Sequence, residues 1–151
     1  MKTLSPILAF ILSFTDIAAA QIWVPDPDDV TYCYDTGAPF HGRSKVKSII
    51  ADVCAAPTNV GDRDNTGWFQ VTYPPEKTRH NCFELDTDDG GLSIFYIKVK
   101  NKSASTRTLN STDECIGRFT YIVDNCWRGG YTDTPNDWWW YIDPSHVHEC
   151  P

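Results

Sequence analysis

The sequence predicts an α+β domain in which two helices pack on one face of an antiparallel sheet of four to five strands, with disulfides stapling the layers together. Two segments place their apolar residues at the 3.6-residue period of a helix. Four or five shorter segments alternate in the way that half-buried strands do. Six cysteines in a chain of 151 residues supply the disulfide-forming side chains: Cys33, Cys54, Cys82, Cys115, Cys126 and Cys150.

Residues 1–20 have the features of a secretory signal peptide. A basic residue precedes an apolar run, residues 4–14, that is too short to span a bilayer. Ala18 and Ala20 form the small-x-small pattern that signal peptidase requires. We therefore expect a secreted, extracellular protein without a membrane span, whose mature chain begins at Gln21. The oxidising compartment that it would enter favours pairing of all six cysteines.

The remainder of the chain is expected to form an extended N-terminal arm followed by a single domain. Residues 21–30 contain two prolines and three aspartates, a composition typical of an extended segment. Residues 31–151 show no internal repeat and no low-complexity stretch, and their length suits one disulfide-rich domain.

The first predicted helix covers residues 44–55. Ser44 is a suitable N-cap, and Pro57 ends the segment. The residues that form its apolar stripe are Val46, Ile49, Ile50, Val53 and Cys54.

The second predicted helix begins with a capping box made by Ser111 and Glu114, and Gly129-Gly130 provides its exit. Its apolar face is expected to extend as far as Trp127. Cys115 and Cys126 lie on this helix, about 16 Å apart along its axis. Because the Cα atoms of a disulfide lie within about 7 Å of each other, each must pair with a cysteine outside the helix. The sequence leaves open which partner each one takes.

Four strands fit around these helices, over residues 31–35, 68–73, 92–100 and 138–142, and residues 81–85 offer a short fifth strand. The resulting order is the split βαβ arrangement of ferredoxin-like folds. That topology places the second and fourth strands at the sheet edges. Both of these strands end at a proline, which edge strands tolerate.

Two helices cover only one face of such a sheet, so the other face is expected to carry aromatic residues. The candidate binding residues on that outer face are Trp68, Gln70, Tyr96, Trp139 and Tyr141, with Thr72 between them. Aromatic rings bordered by amides and hydroxyls suit a sugar ring or a protein partner, and a monomer seldom leaves a large apolar patch bare. Two alternatives remain open: residues 22–24 fold back over the face, or a second copy covers it in a homodimer.

No motif for catalysis stands out, and we expect no catalytic residue, no metal and no cofactor. Arg79, His80 and Glu84 could be arranged as a secreted ribonuclease would need them. The formal net charge of −7 argues against this use and against nucleic-acid binding in general. A protein that binds a polyanion has to concentrate cations on one face.

Two N-glycosylation sequons lie in one polar stretch of the chain. They are Asn101-Lys-Ser103 and Asn110-Ser-Thr112. In a chain that enters the secretory pathway, both asparagines are expected to carry glycans and to lie on an outward-facing loop.

From Asp113-Glu-Cys115 through Asp124-Asn-Cys126-Trp-Arg-Gly129-Gly130, the chain resembles small cysteine-rich proteins secreted by fungi. This group includes plant-pathogen effectors and killer toxins with an α/β sandwich, and it is similar to small fungal glycan-binding proteins. The resemblance implies a secreted effector or toxin-like protein that binds a host glycan or protein without catalysis. A small secreted hydrolase such as a ribonuclease and a structural or dimeric cell-wall protein are the alternatives.

Overall fold

A computed structural model of the chain describes residues 23–55, 69, 71–86 and 92–145. In chain order the elements are β1 Val30–Cys33, α1 Arg43–Ala55, β2 Thr72–Tyr73, β3 Thr78–Asp86, β4 Leu92–Asn101, β5 Arg107–Thr108, α2 Thr112–Asn125, β6 Gly130–Asp133 and β7 Trp138–Ser145. Five strands form an antiparallel sheet in the order β1-β6-β7-β4-β3, and β2 pairs with β5 in a separate ribbon. The predicted α+β class, with its five-stranded antiparallel sheet and two helices, is confirmed.

Both helices form where the apolar period and the caps predict them. The predicted stripe of α1 is buried at Val46, Ile50 and Val53. At the start of α2, Ser111 Oγ accepts a hydrogen bond of 3.1 Å from the Glu114 amide, as expected for an N-cap. The apolar face of α2 is shorter than predicted, because the helix ends at Asn125.

Trp127 lies past the end of α2 and not on its apolar face. Its side chain is 58% exposed. The Arg43 guanidinium lies 4.8 Å from the ring centroid, a distance typical of a cation–π contact. Trp127 therefore lies on the surface at the end of the helical layer.

The hydrophobic core lies between the helices and one face of the sheet. Trp140 of β7 is fully buried, and its ring meets the Phe119 ring of α2 edge-on at 5.3 Å. Val99 and Thr132 flank Trp140 on the two neighbouring strands. Helix α1 packs against α2 and contributes to the same core. Both helices thus cover one face of the sheet, as predicted.

Disulfides connect α2 to the elements on both sides of it. Cys126 pairs with Cys33 of β1, and Cys115 pairs with Cys54 of α1, with Cα–Cα distances of 5.0 and 5.7 Å. The expectation that the two cysteines of the second helix bond elsewhere is confirmed. Cys82 of β3 is also disulfide-bonded, and Cys150 lies outside the described residues. Because the two placed disulfides join residues 93 and 61 positions apart, each constrains a long loop of the unfolded chain.

The strand order differs from the prediction at both expected edges. The strand that begins at Trp138 lies inside the sheet, between β6 and β4. Pro144 is tolerated there because β6 pairs with β7 only as far as Ile142, so the missing N–H breaks no bond to β6. Among the described residues of the predicted strand over 68–73, which are 69 and 71–73, only Thr72–Tyr73 is a strand, and it pairs with β5 rather than joining the main sheet.

Two strands of the main sheet were not fully predicted: one was predicted too short, and the other was missed. The tentative fifth strand over residues 81–85 is the middle of β3, which has nine residues and forms an edge. Gly129-Gly130, predicted only as a helix exit, leads directly into β6. A Cβ on Gly130 would lie 2.1 Å from the Tyr32 carbonyl oxygen, so only glycine allows β1 to approach here.

The N-terminal arm packs on α2 and not on the outer face of the sheet. The Trp23 ring lies over Gly117, where a Cβ would be 2.2 Å from Trp23 Cδ2. Asp29 forms an ion pair with Arg118, whose guanidinium lies 5.0 Å from the Trp23 ring. The alternative in which Trp23 and Val24 cover the outer face is therefore wrong: Trp23 packs against the helix, and Val24 is 73% exposed.

The two sequons have different environments. Asn101 is fully buried, and its Nδ2 donates to the carbonyl oxygens of Tyr73 at 3.1 Å and Ser105 at 2.8 Å. Its Oδ1 accepts from the Ser103 amide at 3.0 Å. A glycan on Asn101 Nδ2 would disrupt these bonds and require buried space. Asn110 is exposed, directly before the N-cap of α2.

We expect a glycan on Asn110 and none on Asn101 when the protein is secreted from a eukaryotic host, because the folded chain accommodates the modification only at the exposed site. Glycopeptide mass spectrometry measures the occupancy of each site. Asn110→Gln should remove the glycan mass, whereas Asn101→Gln should leave it unchanged and lower the thermal midpoint. A glycan found on Asn101 of the folded, secreted protein would contradict this expectation.

Candidate functional site

The face of the sheet opposite the helices carries a cluster of aromatic side chains. In β7 the buried Trp138, Trp140 and Ile142 point into the core, so Trp139 and Tyr141 point to the opposite side. The aromatic face is defined by Tyr32, Tyr34, Tyr96, Tyr131, Trp139 and Tyr141, all of which are at least partly exposed.

Strand register aligns five of the outward-facing side chains in one line across the whole sheet. Tyr32 lies opposite Tyr131, and Tyr131 lies opposite Tyr141. Tyr141 lies opposite Lys98, and Lys98 lies opposite His80. This central row consists of Tyr32, Tyr131, Tyr141, Lys98 and His80. Four strand spacings of about 4.8 Å make it roughly 19 Å long.

The rings at the β1 end of the aromatic face are closely spaced and inclined to one another by moderate angles. Tyr32 and Tyr131 stack with centroids 4.9 Å apart and planes 26° apart. Tyr131 and Trp139 are 5.9 Å apart at 41°, and Trp139 and Tyr141 are 5.3 Å apart at 30°. These four rings form a contiguous cluster, which we call the platform. Tyr34 lies beside it, 6.4 Å from Tyr131 and 6.0 Å from Tyr141.

A polar cluster adjoins the platform where β7 continues beyond Tyr141. The Tyr141 hydroxyl donates a hydrogen bond of 2.7 Å to Asp143 Oδ2. Burial raises the pKa of Asp143, while the Tyr141 hydrogen bond and the Lys98 charge lower it in part. Burial and the hydrogen bond to Asp143 raise the pKa of Tyr141, and burial with the Asp143 charge raises that of Tyr34. Both phenols therefore stay protonated at neutral pH, which leaves hydrogen-bonding hydroxyls at the edge of the platform.

Three lysines face the same side, and their electrostatic partners differ. Lys100 Nζ forms an ion pair with Glu76 at 2.5 Å, and Lys102 Nζ forms one with Asp133 at 2.5 Å. Lys98 Nζ lies 4.5 Å from the centroid of the Tyr141 ring. Lys98 forms no ion pair with any other residue that the structure describes. Lys98 therefore lacks the direct ion pair that each of the other two lysines forms, although its charge interacts with that of Asp143.

The accessible part of the aromatic face ends near Ile94 and has a groove at its other end. Ile94 lies on the same side of β4 as Lys98 but is fully buried, so the accessible part of this side ends before Ile94. At the opposite end, a shallow groove of about 490 Å³ runs along the platform. The residues that line it are Tyr34, Glu76, Lys100, Lys102, Tyr131, Asp133 and Trp139. The groove gives a ligand access to aromatic rings and to charged groups at once.

Three of the five predicted binding residues, Tyr96, Trp139 and Tyr141, lie together on the aromatic face. Trp68 and Gln70 lie outside the described residues. Thr72, predicted to lie between them, belongs to the separate ribbon and pairs with Thr108.

Sequence reasoning missed Tyr32, Tyr34, Tyr131 and Lys98 as parts of the site. The Tyr-x-Tyr spacing of residues 32 and 34 was an available signal, because it places both rings on one side of a strand. Tyr131 was missed because Gly129-Gly130, which precedes it, was interpreted only as the exit from a helix. Lys98 lies in the predicted strand over residues 92–100, but it was given no predicted role in binding.

The residues of the ribonuclease alternative do not converge. The Arg79 guanidinium turns towards the Tyr73 ring, 5.9 Å from its centroid, whereas His80 faces the other side of the strand beside Lys98. Glu84 is four residues along β3 from His80, which separates their Cα atoms by about 13 Å. No single phosphate could contact all three side chains in this arrangement.

No protein-family model matches the chain, and no curated protein matches it. In the part of the chain that the structure covers, no helix has the length and apolar character to cross a membrane. Within the same ranges, no three histidine, cysteine, aspartate or glutamate side chains are grouped so that they could hold a metal ion.

Proposed function

We propose that this protein is a secreted binding protein that holds a saccharide on the aromatic face. The observation that carries the proposal is the platform of Tyr32, Tyr131, Trp139 and Tyr141, partly exposed on the side of the sheet without helices. In the wider context of the resemblance to fungal secreted proteins, the protein would act as an effector or toxin-like molecule on a host glycan.

The chemistry of the platform supports a saccharide ligand. The C–H faces of pyranose rings stack on aromatic rings, and the four rings of the platform are all partly exposed. Sugar hydroxyls also need hydrogen-bonding partners. The hydroxyls of Tyr34 and Tyr141 and the carboxylate of Asp143 lie beside the rings and can provide them.

The scaffold supports binding by keeping the rings in place before a ligand arrives. Each ring of the platform projects from a strand, and two disulfides join β1, α1 and α2. Little side-chain freedom then remains to be lost on association, which favours affinity. A disulfide-stapled sheet with two helices on one face also supports a killer-toxin-like fold, although the position of β1 at an edge departs from the ferredoxin-like strand order.

The proposal predicts that ring removal on the platform weakens saccharide binding. A glycan array of the secreted protein would identify ligands, and titration would give their dissociation constants. Trp139→Ala and Tyr131→Ala should each raise the dissociation constant about tenfold, which corresponds to ~1.4 kcal/mol. Each variant loses one stacking ring and leaves the buried core unchanged.

Trp127→Ala is the matched control, because it removes an exposed tryptophan that lies away from the aromatic face. It should leave the dissociation constant unchanged. Equal affinities for the wild type, Trp139→Ala and Tyr131→Ala would refute the proposal, as would an equal loss in Trp127→Ala.

A further inference from the structure

The central row changes its chemical character from one edge of the sheet to the other. Its side chains on β1, β6 and β7 are the phenol rings of Tyr32, Tyr131 and Tyr141. On β4 and β3 they are Lys98 and His80. A ligand that lies along the row therefore meets stacking surfaces first and an ammonium group next, about one strand spacing beyond the last ring.

The position of Lys98 allows its ammonium group to bind a ligand at the end of the platform. Its ammonium group lies 4.5 Å from the Tyr141 centroid, so a group that binds it also contacts the end of the ring platform. Lys100 and Lys102 already contact the carboxylates of Glu76 and Asp133. The cation–π contact leaves the ammonium of Lys98 able to donate hydrogen bonds in other directions.

This inference rests on the proposed function, because it takes the ligand to be a saccharide. We propose that the saccharide is acidic, with an anionic substituent on a pyranose ring, and that Lys98 Nζ binds this anionic group. The sugar ring that carries the anion stacks on Tyr141, and the neighbouring unit stacks on Tyr131. The anion could be the carboxylate of a uronic acid or a sulfate ester, which present the same charge to the ammonium group.

The overall negative charge of the protein does not oppose this arrangement. Two carboxylates near the row are paired with other lysines, since Asp133 contacts Lys102 and Glu76 contacts Lys100. Asp143 also lies near the row, where burial raises its pKa and its charge interacts with that of Lys98. Carboxylates farther away are screened, because the Debye length is about 8 Å at physiological ionic strength. The electrostatic potential at Lys98 Nζ therefore depends mainly on the charged groups close to it.

The test compares an acidic oligosaccharide with its neutral counterpart of equal length. Titration with trigalacturonate and with galactotriose gives one dissociation constant for each, and a sulfated galactotriose distinguishes the two sources of the anion. The wild type should bind at least one of the acidic ligands ten or more times more tightly than the neutral one. Added salt should reduce this preference.

Lys98→Met is the informative variant, because methionine keeps the apolar stem beside Tyr141 and removes the charge. It should weaken binding of the acidic ligand about tenfold and leave that of the neutral ligand unchanged. Lys47→Met is the matched control, since it removes a paired lysine charge from α1, in the helical layer away from the aromatic face. It should leave the preference for the acidic ligand unchanged.

The outcomes separate this inference from the function on which it rests. Equal affinity of the wild type for all three ligands overturns the inference, and so does a preference that survives in Lys98→Met. In either case a loss of affinity in Trp139→Ala would still support saccharide binding. If no saccharide binds in the array or in titration, both the proposed function and the inference fail.

Discussion

Replacing Trp140 with alanine is expected to lower the free energy of unfolding by about 3–5 kcal/mol. Trp140 is fully buried, and its ring contacts Phe119 edge-on at 5.3 Å. Its removal leaves a cavity between the sheet and α2 that the surrounding core closes only in part. Chemical denaturation followed by far-UV circular dichroism measures the loss.

Trp139→Ala provides a matched control one residue away. The Trp139 side chain lies on the aromatic face and is partly exposed, so its loss should lower the free energy of unfolding by less than about 1 kcal/mol. The two substitutions are thus expected to have separate effects: Trp140→Ala lowers stability, and Trp139→Ala weakens the proposed saccharide binding. Comparable destabilisation by both substitutions would contradict the assignment of these residues to opposite faces.

If Trp140→Ala fails to fold, Trp140→Phe can be compared with Trp139→Ala in its place. The indole Nε1 of Trp140 is buried without a hydrogen-bond partner among the described residues. Phenylalanine removes that unsatisfied donor while it retains an aromatic ring against Phe119. We therefore expect a smaller loss than for alanine, measurable by the same denaturation experiment.

Asp29→Ala is expected to destabilise the protein by about 3–5 kcal/mol, because it leaves Arg118 as a buried charge without its closest partner. The side chains of Asp29 and Arg118 are only 4% and 7% exposed. Glu114 Oε1, at 3.6 Å from Arg118, is too distant to replace the lost contact fully. The free energy of unfolding again reports the effect, and limited proteolysis after residue 23 reports release of the arm.

Asp28→Ala controls for the loss of a negative charge in the arm, because Asp28 is exposed and does not contact Arg118. Its effect should stay within about 0.5 kcal/mol. The double variant Asp29→Ala/Arg118→Met removes both charges and should recover part of the loss. An Asp29→Ala protein as stable as the wild type would show that the ion pair does not hold the arm to α2.

The helices and the alternation of side chains could be predicted because they depend on residues close together in the chain. The Ser111 cap and the period of α1 need information from one or two turns only. Alternation likewise separated Trp139 from Trp140 once a strand was assumed there. Three of the candidate binding residues, Tyr96, Trp139 and Tyr141, were assigned to the correct face of the sheet for this reason.

Strand order was mispredicted where a local signal had two structural meanings. Gly129-Gly130 ends a helix in many proteins, but here it also lets β1 approach β6 closely. The proline at position 144 suggested an edge strand, but β6 is too short to require its N–H. Once β6 is inserted, β7 moves to the interior and Tyr131 joins the aromatic face.

By itself, the sequence determined the α+β class, the two helices, the exclusion of a Cys115–Cys126 bond and the outward direction of Tyr96, Trp139 and Tyr141. Tertiary structure alone decided the partners of Cys115 and Cys126, the burial of Asn101 and the alignment of Tyr32 with Lys98 along one row. The physical reason is that helix formation and alternation depend on neighbouring residues. Strand register and disulfide pairing, in contrast, join residues up to about a hundred positions apart, and the packing of the whole core selects among their alternatives.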